Sequence, residues 1–313
     1  MRPGAIPAAA GAVLAAVLLL AGCATPQVSA LLAQPPAGLP PRAELAAVPF
    51  YPQEDYQCGP AALATTLAHA GVAVTPEELV PQVYIPARKG SLQAEMLAAS
   101  RRQGLTGYQL APRLEDLLKE VADGTPVIVL QNLGLGFTPV WHYAVVVGYD
   151  LPAEEIILRS GTTRRLTMGF GSFERSWARG QHWAMLTLPP GRLPATASED
   201  RYLASAAALE RVAPAAAQRA YTTALERWPD NLIARIGLGN AAYALRDFGG
   251  AETAYREATR RHPQSADAWN NLAQALLELA RRDDARAAAQ RAVDIGGPRL
   301  AQYQATLRAT EAR

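Results

Sequence analysis

Apolar and polar positions follow four regimes along the chain. Residues 1–22 carry one charged side chain, Arg2, and then an Ala/Leu/Val-rich run from about Ile6 to Ala21. Residues 23–45 are rich in Ala, Pro and Gln, show no sustained apolar period, and read as a tether. From 46 to 189 helical and strand-like patterns mix. Leu63, Leu67 and Ala70 fall at helical spacing over Gly59–Ala70, with Pro60 allowed in the first turn. Two further helices are expected at about 91–103 and 112–123. Strand-like runs follow at Val127–Leu130, His142–Tyr149, Glu155–Arg159, Arg165–Met168 and His182–Leu188, with a short helix near 172–179. Pro189-Pro190-Gly191-Arg192-Leu193-Pro194 then breaks the pattern, and residues 190–199 read as a linker. Beyond it, residues 200–313 are helical throughout, rich in Ala, Arg, Glu and Leu.

That last regime repeats. Trp228-Pro229-Asp230-Asn231 recurs thirty-four residues later as His262-Pro263-Gln264-Ser265. In the same register Leu238-Gly239 aligns with Leu272-Ala273, Ala251 with Ala285, and Ala258 with Ala292. The period, the small residues and the proline at the turn resemble tetratricopeptide repeats, an all-α solenoid. Ala217, Tyr221 and Ala224 fit a degenerate first repeat, so about three repeats span 198–297, with a final helix near 298–312. The resemblance implies a groove for a protein partner or a peptide. Asn240, Asn270, Asn271 and Gln274 sit on first helices of repeats, where their amides either grip a peptide backbone or simply face water.

The N-terminal run is too short, and too rich in Ala and Gly, for a strongly apolar span of about 20 residues. It suits a secretion signal. It ends in Leu20-Ala21-Gly22-Cys23, which resembles the lipobox of bacterial lipoproteins. That resemblance implies cleavage before Cys23 and acyl chains on it, hence a membrane-bound protein of the cell envelope. Ala24, where lipoproteins of the inner membrane often carry Asp, favours the outer membrane facing the periplasm.

Half of the residues are hydrophobic and the net charge is +2. No basic block points to nucleic acid. The chain has two cysteines, so with Cys23 lipidated only Cys58 remains as a thiol and no internal disulfide can form. One thiol and four scattered histidines lack the usual metal-ligand spacings, and no cofactor is expected.

Cys58 stands at or just before the start of the 59–70 helix, where unpaired N–H groups and the helix dipole favour a thiolate. A nucleophilic thiolate needs a base. His142 opens the most apolar strand of the chain. His69 lies eleven residues along the same helix, about 16 Å away. His182 opens a strand with no comparable run, and His262 belongs to the repeats. His142 is therefore the expected base.

Gln53 ahead of Cys58-Gly59-Pro60-Ala61, with His142-Tyr143-Ala144-Val145-Val146 and Gly148-Tyr149 much later, resembles the bacteriocin-processing (double-glycine leader) cysteine peptidases. The resemblance covers about 46–189 and implies an α+β papain-like domain in which Cys58 attacks a peptide carbonyl and His142 shuttles the proton. A glutamine before the cysteine would donate to the oxyanion beside the Cys58 N–H. Gln53 is preferred, with Gln57 the competitor. Where the family carries an aspartate after the histidine strand, this chain has Leu158 and Arg159. Asp150 lies along the histidine's own strand, roughly 26 Å away. With residues 151–154 as the turn, the imidazole is oriented by Ser160, a neighbouring threonine or a backbone carbonyl. Without a carboxylate, catalysis should be slow or substrate-dependent. The chain has neither the phosphate loop nor the membrane domain of an export ATPase, so double-glycine specificity is not implied.

Three readings follow. The first is a lipid-anchored cysteine peptidase whose repeats recruit a protein partner or substrate. The second is a weak or inactive papain-like module with the repeats as an interaction scaffold. The third is acyl transfer to an amine by the same Cys–His pair.

Overall fold

The computed structural model describes residues 25–53 and 57–311. The lipidation expected at Cys23 lies outside the described residues. Contacts divide the chain into two units. The first holds residues up to His69, Ala73–Ser91 and Leu110–Met185; the second holds Ala70–Val72, Leu92–Gln109 and Leu186–Arg313.

The first unit is built on an antiparallel sheet. Strand β1 is Arg42–Glu44, β5 is Val127–Asn132, β6 is Trp141–Asp150, β7 is Glu155–Ser160, β8 is Thr163–Gly169 and β9 is Ala184–Leu188, of which Ala184 and Met185 fall in this unit. They run in the order β9-β5-β6-β7-β8, with β1 paired to the far half of β6. Tyr143 to Tyr149 are all buried. Successive side chains point to opposite faces, so both faces of β6 are covered, and this strand shows an apolar run instead of alternation.

Helix α2, Cys58–His69, packs on β6 and buries every residue from Gly59 to Leu67. A helix buried all round has no polar face. Its small residues Gly59, Ala61, Ala62 and Ala64 let it sit close to its neighbours. Helix α3, Pro76–Val83, opens with a capping box, in which the Thr75 hydroxyl accepts from the Glu78 N–H and the Glu78 carboxylate from the Thr75 N–H. The short strands β2, Tyr84–Ile85, and β3, Gly90–Ser91, pair with each other. Helices α5, Leu114–Ala122, and α6, Phe170–Arg179, complete the unit.

From Pro26 on, the stretch that reads as a tether is packed. Helix α1, Pro26–Ala33, buries Val28 and Leu31, and the Glu174 carboxylate accepts the N–H groups of Gln27 and Val28 at its N-terminus. A carboxylate supplied from α6 does what no local sequence signal announces. The last strand begins at Ala184 instead of His182, because Gln181 and His182 form a turn with φ of +58° and +51°.

The second unit contains α4, Gln93–Arg102, and β4, Thr106–Gln109, together with seven helices: α7 Glu199–Ala207, α8 Pro214–Arg227, α9 Leu232–Ala244, α10 Phe248–Arg261, α11 Ala266–Glu278, α12 Arg282–Ile295 and α13 Leu300–Glu311. Helices α8, α10 and α12 start at thirty-four-residue intervals, as do α9 and α11. Asn231 and Ser265, aligned in the repeat, cap α9 and α11 in the same way, each side-chain oxygen accepting the N–H three residues on. Ala217, Ala251 and Ala285 are all fully buried, as are Ala224, Ala258 and Ala292. The residues between β9 and α7 are tied down within this unit, since the Tyr202 hydroxyl donates to Pro190 O and the Ser198 N–H donates to the buried Tyr108 hydroxyl.

Candidate active site

Cys58 is the first residue of α2, half-buried, and is a free thiol. The backbone N–H groups of Tyr143, Gly59 and Cys58 itself lie near enough to the thiol to pull its pKa down. The Tyr143 N–H brings the thiol against the start of β6, where His142 is the preceding residue. The Tyr143 phenol donates to Ser91 O at 3.2 Å, and burial followed by the nearby Cys58 charge pushes its pKa up.

His142 is held from β7. Its Nε2 lies 2.8 Å from Ser160 Oγ, and Ser160 is only 9% exposed. With Nε2 engaged by a hydroxyl, Nδ1 is the remaining ring nitrogen. Ser160 comes within reach because β6 and β7 pair antiparallel, with Val145 opposite Arg159. Arg159 turns elsewhere. Buried itself, it donates to the backbone carbonyls of Ala46, Val48 and Arg164, and so fastens the segment leading into the site.

Gln53 spans two strands. Its Nε2 donates to Tyr143 O at 3.3 Å, and its Oε1 accepts the Gly161 N–H at 3.0 Å. The Gln53 N–H in turn donates to Gly161 O. The side chain thus links the histidine strand to the β7–β8 turn that follows Ser160. The Gln57 carbonyl accepts the Ala61 N–H in the first turn of α2. The other histidines are engaged elsewhere: His69 with Gly124 O, His262 with Asp230 O, and His182 edge-on to the Trp177 ring.

The electrostatics differ from an ion pair. Burial pushes the Cys58 thiol up, outweighing the three N–H groups that pull it down. Burial alone pushes the His142 imidazole down. Both shifts favour the neutral forms of the two groups. The position at a helix start was expected to favour a thiolate. Desolvation wins because no charged group stands near enough to compensate.

Neither the Tyr143 N–H at the sulfur nor the Arg159 anchor was legible in the sequence, because each is a contact between elements distant in the chain. In the repeats, the amides expected to face a peptide or water are bonded internally. Asn240 bonds to Glu210, Tyr255 and Asn271, and Gln274 donates to the Thr306 hydroxyl. Asn270 is buried and donates to Asn271. Among the described residues no group of three or more His, Cys, Asp or Glu is placed to hold a metal ion. No helix there is long and apolar enough to cross a membrane.

Residues 45–184 match the Peptidase_C39 like family, and residues 202–254 and 236–299 match the tetratricopeptide repeat family. No curated protein matches the chain. One solved structure, "Crystal structure of an putative C39-like peptidase from Bacillus anthracis", is 18% identical and covers 47% of this chain and 97% of its own, at a TM-score of 0.40 too low to bear on the fold. The chain carries a Peptidase_C39-like domain followed by tetratricopeptide repeats.

Proposed function

We propose that the Peptidase_C39-like domain is a cysteine peptidase in which Cys58 is the nucleophile and His142 the base. One observation carries this reading: the thiol at the head of α2 meets the backbone of Tyr143 while the adjacent His142 is fixed at 2.8 Å to Ser160. With its Nε2–H donated to Ser160 Oγ, the imidazole presents an unprotonated Nδ1. As the sulfur attacks a peptide carbonyl, the thiol proton passes to Nδ1, and the imidazolium then protonates the leaving amine. Water, deprotonated by the same nitrogen, cleaves the thioester and restores the thiol. The Cys58 N–H, at the head of α2, is the first oxyanion donor. The second N–H of the Gln53 amide supplies the other, its first being bound to Tyr143 O.

The repeats serve protein interaction, and the lipobox-like Leu20-Ala21-Gly22-Cys23 supports a lipid anchor at the cell envelope. A second reading, a binding module with little or no turnover, draws on the two shifts toward neutral forms and the serine at the orienting position. Alkylation of Cys58 by iodoacetamide separates the two. Base assistance predicts a rate near neutral pH that falls several-fold in His142→Ala, together with a Cys58 thioester trapped by acid quench during turnover of an unfolded polypeptide. A thiol indifferent to His142 and never acylated would leave only the binding module.

A further inference from the structure

The connection between β5 and β6, together with the first residue of β6, exposes five large apolar side chains in nine residues. Leu133 is 47% exposed, Leu135 58%, Phe137 82%, Val140 57% and Trp141 54%. It is not a loose loop. Leu135 and Thr138 form a bridge around the Gly136-Phe137 turn, and the Thr138 N–H donates to Leu135 O at 3.2 Å. The Leu133 N–H donates to Val140 O at 2.9 Å. The buried Asn132 side chain accepts the N–H groups of both Gly134 and Val140, and the Arg179 guanidinium holds the Asn132 carbonyl. Gly134 is required, since a Cβ there would lie 2.2 Å from Thr138 O. The chain thus builds a rigid hairpin that presents its apolar residues to water.

We propose that this hairpin, residues 133–141, is a membrane-docking element whose tip enters the outer layer of a lipid bilayer. Large exposed apolar patches mark interaction sites, and three features select lipid over protein here. No ionisable residue occurs from Gln131 to Trp141, so entry into a bilayer desolvates no charge. Protein docking surfaces instead carry a polar rim. Four backbone N–H groups are bonded within the hairpin and Pro139 has none to bond, which limits the polar groups that lipid must strip of water. The apolar residues also stand out on a turn, Phe137 most of all, instead of lining a groove. Trp141 at the base suits the headgroup level, where its indole finds both apolar and polar surroundings. Because His142 follows Trp141 directly, docking would hold the candidate site at the membrane surface. The docking itself does not depend on catalysis at Cys58.

The test reads depth instead of recruitment, so a lipid on Cys23 cannot mimic it. The full chain is bound to phosphatidylcholine vesicles with brominated acyl chains, and tryptophan fluorescence is compared with that in unbrominated vesicles. Wild type should be quenched, and most of that quenching should vanish both in Trp141→Phe and in the double variant Leu135→Ser/Phe137→Ser. Both altered tip residues are exposed, and an unchanged far-UV circular dichroism spectrum checks the fold. Absence of quenching in wild type, or equal quenching in all three proteins, would overturn the proposal. So would a double variant that keeps its quenching, or one that alters only the cleavage of a soluble peptide, which would make the hairpin a peptide-docking surface.

Discussion

At the residue scale, the candidate site turns on a hydroxyl where an acid would be expected. Ser160 fixes the His142 tautomer and ring angle but adds no charge to stabilise an imidazolium. Replacing it by alanine should lower kcat about ten-fold with little change in KM, while Ser160→Thr should retain most activity, as read in a steady-state peptidase assay. Ser160→Asp should act in the opposite direction. An adjacent carboxylate favours the charged imidazole, so alkylation of Cys58 near neutral pH should speed up. The pH dependence of the parent follows from burial. Burial disfavours the thiolate, so its pKa rises; burial disfavours the imidazolium, so its pKa falls. Alkylation should therefore climb with a midpoint above the ordinary thiol value, and the acid limb of activity should lie below the ordinary histidine value. A low-pH plateau of thiolate reactivity would contradict both assignments.

At the element scale, two close approaches decide the packing of the repeats, and a side-chain acceptor decides the shape of the hairpin. A Cβ on Gly237 would stand 2.2 Å from the Tyr221 ring, and one on Gly239 2.3 Å from the Tyr255 ring. Gly237→Ala and Gly239→Ala must each push a buried tyrosine aside. Each should cost about 1–3 kcal/mol, measurable as a shift in the denaturant midpoint. The sequence marked Gly239 as a small residue of the repeat but not which rings the two glycines admit, because those come from the helices on either side in the chain, α8 and α10. In the hairpin, Asn132→Ala removes the acceptor of two N–H groups. Amide exchange at Gly134 and Val140 should accelerate, with a loss of about 1–3 kcal/mol in local stability.

At the scale of the whole molecule, chain order and spatial grouping differ. Residues 92–109 fall early in the sequence but belong with the C-terminal unit, where the buried Tyr108 hydroxyl accepts the Ser198 N–H. A protein ending at Leu188 keeps the complete Peptidase_C39-like stretch yet loses these partners. Its α4 and β4 should lose protection, and its thermal midpoint should fall below the first transition of the full chain, as read by calorimetry and hydrogen exchange. An unchanged midpoint would show that 92–109 is stable without residues 189–313.

What the sequence by itself determined is what short-range pattern can encode. The thirty-four-residue repeat follows from Pro229 and Pro263 with their buried alanines, since stacking demands a small residue at the same place in every repeat. Helix α2 and the strands β5 to β8 follow from local periodicity and apolar runs. The adjacency of Cys58 and the His142 strand rested on the order and type of two motifs. What only the tertiary structure decided depends on partners that meet in space. Glu174 turns part of a Pro/Gln-rich stretch into a docked helix, and Tyr143 brings a backbone N–H to the thiol sulfur. Burial pushes the Cys58 thiol up, against the pull of the helix start. The run Leu133-Gly134-Leu135-Gly136-Phe137 could equally have been core. Whether such side chains meet protein or water is settled by the packing around them, and here Asn132 and Arg179 hold the hairpin that carries them outward.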